Sequence, residues 1–188
     1  PQDFLVKRGQ LQETRWAPAQ TRLDQPLASG EALLKVDRYA FTSNNITYGL
    51  LGEIAHYWDF FPVAEAGWGR IPVWGYADVV ASRAAELPEG ERVFGYLPMS
   101  PLLKVQPTEV SAELFRDASE HRRALPPIYQ QYLRSRNEDP VQEDLRSLLQ
   151  PLVSTGYLID DWLIDNKLFG ARQVLIGSAS SKTGLGAA

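Results

Sequence analysis

Gly30-Glu31-Ala32-Leu33-Leu34-Lys35-Val36-Asp37-Arg38-Tyr39-Ala40-Phe41 is the stretch on which the fold reading turns. Leu34 and Val36 alternate with Leu33, Lys35 and Asp37, the period-2 pattern of a strand with one buried and one wetter face. Gly30-Glu31 forms the turn that launches it, and Pro88-Glu89-Gly90-Glu91 launches a second such run. From the start of the chain to about Pro107, short segments rich in Val, Ile, Leu and aromatics are punctuated by Gly, Pro and Asn. They predict strands over 4–7, 32–41, 75–82, 92–96 and 102–105. The first half is expected to be mainly β.

The period changes near Ser111. That residue can cap a helix with Glu113 in its first turn and His121, Arg122 and Arg123 at its end, each charge favourable to the helix dipole. Leu125-Pro126-Pro127 stops it, and a polar stretch from Arg134 to Glu138 follows. Asp139 then stands at an N-cap, Pro140 at the first helical position and Gln142 three residues after the cap. Leu145, Leu148, Leu149 and Leu152 share one helical face. Pro151 and Gly156 interrupt it, and Leu158, Ile159, Trp162 and Leu163 form a second stripe.

Composition narrows the function classes. The chain has 188 residues, 44% hydrophobic and 22% charged, which is ordinary globular usage and enough for one domain or one and part of a second. A net charge of -4 without a basic block argues against a nucleic-acid partner. No run approaches the length a membrane span needs and no apolar leader opens the chain, so a cytoplasmic protein away from membranes is expected. Cys is absent and His occurs only at His56 and His121, which excludes disulfides, thiol nucleophiles and every Cys-containing zinc site.

Gln173-Val174-Leu175-Ile176-Gly177 reads as a short buried strand and Gly184-Leu185-Gly186-Ala187-Ala188 as a helix opening, with Gly177-Ser178-Ala179-Ser180-Ser181-Lys182-Thr183-Gly184 between them. Small residues at a strand-to-helix turn let backbone N–H groups approach a pyrophosphate, or simply pack helix on strand. Lys182-Thr183 has the ending of a P-loop, but the spacing from Gly177 is one residue short and Ser181 replaces its Gly. A lone parallel strand lacks its return strand, so the natural polypeptide is expected to continue.

Several motifs fall in one order. Gly30-Glu31-Ala32-Leu33-Leu34-Lys35-Val36 resembles the "Gly-Glu-Val-Leu-Val-Lys-Val" strand of the medium-chain dehydrogenase/reductase superfamily. Ile71-Pro72 through Val79-Val80 is similar to its "Pro-Gly-x-Asp-x-Ala-Gly-Val-Val" segment, and Gly90-Glu91-Arg92-Val93-Phe94-Gly95 to its "Gly-Asp-Arg-Val-Phe-Gly". Thr42-Ser43-Asn44-Asn45-Ile46-Thr47-Tyr48, residues 68–75 and residues 178–183 further resemble an uncharacterised bacterial family of unknown function within that superfamily. The resemblance implies a fold mainly β with α. It would comprise a GroES-like, partly open β-barrel catalytic domain (1–125), connecting helices (126–170) and the first strand and turn of a truncated Rossmann domain (171–188). It implies an oxidoreductase using NADP or NAD and no zinc, since Thr42 to Asn45 stand where zinc-dependent members place a Cys. It also implies a small-molecule substrate and, by superfamily habit, a homodimer.

On that resemblance the cofactor loop comprises Gly177, Ala179, Ser180, Ser181, Lys182, Thr183 and Gly184. Here the side chains of Ser181, Lys182 and Thr183 replace contacts that central glycines otherwise make, or the loop has lost cofactor binding. The turn carrying Thr42, Asn44 and Asn45 would lie beside the nicotinamide, and Tyr48 would donate a proton to the substrate oxygen. The competing reading makes Asn44-Asn45 a turn and Tyr48 barrel core. Tyr57, Trp58, Trp68 and Trp74, in an aromatic-dense stretch, wall an apolar substrate pocket or fill the core. Two functions therefore stand open: a reductase of a carbonyl or activated alkene on an apolar or aromatic substrate, and a ligand-binding module without cofactor use.

Overall fold

The alternating stretch at 32–41 becomes a strand because both its edges find partners. In the computed structural model, which describes residues 1–136 and 139–187, β3 (Ala32–Ala40) pairs antiparallel with β5 (Pro72–Ser82) and β7 (Leu102–Val105). With β6 (Arg92–Pro98), β8 (Pro107–Thr108), β9 (Leu114–Asp117) and β10 (Gln131–Ser135), these form a seven-stranded antiparallel sheet in the order β7-β3-β5-β6-β10-β9-β8. The two outermost strands, β7 and β8, are separated in the chain by Gln106 alone, so the sheet curls into a nearly closed barrel. Leu34, Val73, Val93, Leu97, Phe115 and Tyr132 fill its interior. A buried side chain of this size contributes about 1.5–3 kcal/mol. A register shift between Leu33 and Leu34 buries both (2% and 0% exposed), where simple alternation turns Leu33 outward.

β1 (Gln2–Lys7) pairs with β2 (Gln10–Pro18) and with β4 (Trp68–Gly69) in a separate three-stranded sheet. β2 escapes sequence reading because its residues are largely polar and exposed. Its hydrogen bonds to β1, more than burial, make it a strand.

The helix expected from Ser111 to Arg123 does not form. The Ser111 hydroxyl accepts from the N–H groups of Glu113 and Leu114 and closes a turn instead, after which β9 joins the sheet. Arg122, expected at an exposed helix end, is buried within a single 3₁₀ turn, Glu120–Arg122. Its Nη1 meets Asp117 Oδ2 at 2.8 Å and the Tyr132 hydroxyl at 2.9 Å, and its Nη2 donates to the Tyr129 carbonyl at 2.6 Å. Asp117 Oδ1 accepts from the N–H of Gln106, the residue between β7 and β8, at 2.8 Å. The connecting helices expected from residue 126 begin later, since a 3₁₀ turn (Pro127–Gln130) and β10 come first.

Pro1–Asp139 form one compact unit and Pro140–Ala188 another. In the second, α2 (Pro140–Asp165) starts at the expected Pro140. It runs without a break through Pro151, which interrupts one backbone bond but has a helical φ. It also passes Gly156, where α3 (Lys182–Gly186) packs so closely that a Cβ would come within 2.5 Å of the Gly186 backbone. Leu145, Leu148 and Leu149 are exposed. The buried strand expected at 173–177 is absent: Leu175 is 97% exposed, and no strand among the described residues pairs with this stretch. Asn137 and Glu138 of the expected polar stretch, and Ala188 of the expected helix opening, lie outside the described residues. Among the described residues, no helix is long and apolar enough to cross a membrane.

Removing one member of a buried ion pair leaves the other charge uncompensated, at a cost of about 3–5 kcal/mol. Asp117→Ala is expected to lower the unfolding free energy by about that amount, measured by urea denaturation, because Arg122 and the Gln106 N–H lose their acceptor together.

Candidate functional site

The polar run at 42–45 is a helix start where an Asn-rich turn was expected. Thr42 caps α1 (Ser43–Leu50): its Oγ accepts from the Asn44 N–H at 3.3 Å, while Asn45 Oδ1 accepts from the Thr42 N–H at 2.7 Å. This reciprocal arrangement satisfies two donors that a helix terminus otherwise leaves open. Asn45 Nδ2 also donates to the Pro72 carbonyl at 2.9 Å, so Asn45 (4% exposed) ties the helix to the first residue of β5. Thr42 and Asn45 thus spend their polar atoms on structure.

Asn44 lies one helical turn before Tyr48, the spacing at which side chains meet, so its amide dipole neighbours the Tyr48 hydroxyl oxygen. Trp74, on β5, donates its indole Nε1–H to the same oxygen at 3.2 Å. Around this phenol stand Tyr57, with ring centroids 4.7 Å apart, and Tyr96 of β6, edge-on at 5.6 Å. Tyr129 lies over Tyr96 at 4.6 Å, and its hydroxyl is 3.4 Å from that of Tyr57. Tyr57, Trp74 and Tyr129 are half-buried and form the outer wall, whereas Tyr96 is fully enclosed (0% exposed). The rings pack against one another, with Tyr48 itself 6% exposed.

Burial pushes the Tyr48 phenol up, while the bond from Trp74 and the nearby Asn44 amide work in the opposite sense; the net shift is upward, and the group stays protonated at neutral pH. Burial also drives Tyr129 far upward, reinforced by Tyr57, and raises Tyr96 well above the ordinary tyrosine range. These two are therefore neutral phenols as well.

Of the four residues expected to wall a pocket, the structure brings Tyr57 and Trp74 to this cluster and not Trp58 or Trp68 as walls. Trp58 (1% exposed) is a core wedge whose indole fills the space that a Cβ on Gly52 or Gly69 would need, at 2.2 and 2.5 Å. Trp68 lies under the Arg15 guanidinium, 4.4 Å from its ring centroid. Sequence reasoning missed Tyr96 and Tyr129. Tyr96 has a signal, since the strand period puts it on the same face as Phe94. Tyr129 follows two prolines in a 3₁₀ turn and has none.

Two clefts lie elsewhere in this unit. One, of about 410 Å³, is lined by Arg70, Lys104 and His121, but Arg70 is committed to the Phe61 and Pro62 carbonyls, Gln20, Ser100 and Asp3, and Lys104 pairs with Glu31. The other, of about 510 Å³, is apolar and lies between the β1–β2 hairpin and α1, with Phe4, Leu11, Phe41 and Ile46 among its walls. His56 is exposed and bonds Asp59 at 2.9 Å. Among the described residues no group of three His, Cys, Asp or Glu side chains is placed to hold a metal.

In the second unit the loop before α3 is exposed. Ser181 caps that short helix: its hydroxyl accepts from the Gly184 N–H at 3.0 Å and donates to the Ser178 carbonyl at 2.8 Å. A Cβ on Gly184 would lie 2.5 Å from the Ser178 oxygen, so the turn requires glycine there. Gly177 has open space around it, and Ala179 and Ser180 are exposed beside it. Lys182 is exposed and has no carboxylate partner among the described residues; Thr183 is half-buried.

Residues 39–188 match a family described as "Protein of unknown function (DUF2855)". The chain belongs to that family. No curated protein matches it. The match to DUF2855 takes in α1, the tyrosine cluster and the 177–184 loop, whereas β1, β2 and most of β3 precede it.

His121 of this DUF2855 chain bonds the Phe60 carbonyl through Nε2 at 3.3 Å, and burial, with Arg122 beside it, lowers its pKa below the usual 6.5. The unfolded chain therefore takes up this proton first, and the associated stability, fully present above 6.5, is lost as pH falls toward the folded value. Thermal unfolding followed from about pH 7.5 to about pH 5 is expected to show a shallower decline in His121→Gln than in the unaltered protein.

Proposed function

We propose that this chain is a zinc-independent NAD(P)H-dependent oxidoreductase of the medium-chain dehydrogenase/reductase type, reducing a carbonyl or activated alkene on a small apolar or aromatic substrate. In this reading the barrel is GroES-like and residues 171–188 open a Rossmann domain. The observation that carries it is the Tyr48 hydroxyl: its oxygen accepts from the Trp74 indole N–H at 3.2 Å, so its proton is left to give. A neutral phenol oriented in this way, beside half-buried aromatic faces, suits a carbonyl oxygen on which negative charge develops.

The 177–184 loop fits a dinucleotide in its chemistry. Lys182 offers an exposed ammonium, Ser180 and Thr183 offer hydroxyls, and Gly184 keeps the turn tight. A bound reduced nicotinamide supplies the hydride. Tyr57, Trp74 and Tyr129 present the apolar surface against which the substrate lies. Tyr48 gives its proton to the substrate oxygen as the C–H bond forms. The resulting phenolate is held by the Trp74 donor until water reprotonates it. The Ser181 hydroxyl, closed on its own loop, is the one observation favouring the second reading, a ligand-binding barrel without cofactor use.

Titration with NADPH and NADH, followed by energy transfer from tryptophan, separates the two. Saturable binding of one cofactor is expected, weakened in Lys182→Ala. Tyr48→Phe is expected to bind that cofactor unchanged and to lose turnover of an enone or aldehyde panel by about 10²- to 10⁴-fold. Failure of both cofactors to bind overturns the reductase and leaves the binding module.

A further inference from the structure

The Tyr48 oxygen, on α1, accepts a hydrogen bond from the Nε1–H of Trp74 on β5 at 3.2 Å. The indole has little freedom to turn away. It stacks on Phe94 with ring centroids 5.8 Å apart and planes 23° apart, and it touches Tyr96 at 5.1 Å and Tyr129 at 5.9 Å. An indole N–H is a donor only and cannot accept the phenol proton in return. A carboxamide or hydroxyl at the same place could accept it and silence the donor.

We propose that Trp74 is a positioning residue for Tyr48: its clamped indole N–H occupies the phenol oxygen and keeps the phenol proton available for a bound acceptor. The proposal rests on Tyr48 as the proton donor of the function given above. It assigns Trp74 a polar duty beside its place in the aromatic wall. Three further titratable side chains touch or neighbour the Tyr48 ring, all of them phenols: Tyr57, Tyr96 and Tyr129. None brings a formal charge at neutral pH, so the Trp74 indole is the hydrogen-bond donor whose influence on Tyr48 opposes its burial.

The test places 3,5-difluorotyrosine at position 48, since ring fluorination acidifies a phenol and brings its titration into a range where the fold survives. Its ¹⁹F resonance is followed against pH in the whole chain with Trp74 present, in Trp74→Phe, and with Trp74 replaced by benzothienylalanine, which keeps the indole shape and lacks the N–H. An upward shift of the midpoint in both replacements is expected. An unchanged midpoint in the benzothienyl protein overturns the proposal, and that protein decides the matter if Trp74→Phe does not fold. Turnover adds a second readout. Benzothienylalanine at position 74, which keeps the aromatic wall, is expected to lower kcat about 3- to 10-fold at constant KM, the worth of one hydrogen bond, and to have no further effect on Tyr48→Phe. A shifted midpoint in a protein that binds neither cofactor supports the Trp74–Tyr48 pairing while removing the reductase. Cofactor binding with an unshifted midpoint does the reverse.

Discussion

A guanidinium and a carboxylate closed off from water, Arg122 against Asp117, form the joint on which the barrel depends. Burying two charges is costly unless most of their remaining hydrogen-bonding capacity is taken up, as it is for this pair apart from Arg122 Nε. Here Asp117 accepts from Gln106 and Ser119 as well, and Arg122 reaches Tyr132 and the Tyr129 carbonyl. Gln130 returns two bonds to the carbonyls of Arg122 and Leu125. The joint therefore pins the corner between β7 and β8, where the sheet's two ends meet, to the segment that carries Tyr129. Closing the barrel and placing one wall of the tyrosine cluster are the same event.

The opposite wall is set by α1. Its capping box starts the helix at Thr42, and the bond from Asn45 to Pro72 fixes it to β5 two residues before Trp74. Tyr48 and Trp74 thus meet through two elements tied at their origins, while Trp58, lodged against Gly52 and Gly69, supports the cluster from within. The residues with the most conspicuous polar side chains in the sequence, Thr42 and Asn45, serve the scaffold. In the proposed reaction the chemistry passes to the phenol they position.

Strands bounded by glycine turns and carrying continuous apolar character were legible: β3, β5, β6 and β7 lie close to where period and punctuation put them. Gly30 and Gly90 do adopt the left-handed backbone their turns require. Local rules failed where a distant partner decided. Ser111 and Glu113 have the chemistry of a helix start, and the same hydroxyl serves equally well to close a turn once β9 has β10 to pair with. Arg122 reads as a solvated helix end until Asp117 is brought against it. Conversely, Val174 and Leu175 have strand character, but strand character without a neighbour makes no strand. At the candidate site, Tyr48, Tyr57 and Trp74 were within reach of sequence reasoning, whereas Tyr96 and Tyr129 arrive through the sheet and the Arg122 joint.

The strand order has a kinetic consequence. β1 meets β4 through Val6 and Gly69, β3 meets β7 through Ala32 and Val105, and β6 meets β10 through Gly95 and Tyr132, so many pairings join segments remote in the chain. Each such pairing requires a long loop to close before any contact rewards it. A chain built in this way folds on the slower timescale of β-rich topologies. The ion pair helps least at the beginning, because its partners are shielded from water only once the strands around them have assembled. Until then the aromatic side chains of the cluster stay exposed to one another's wrong neighbours, and the slow step of folding is also the step that protects them.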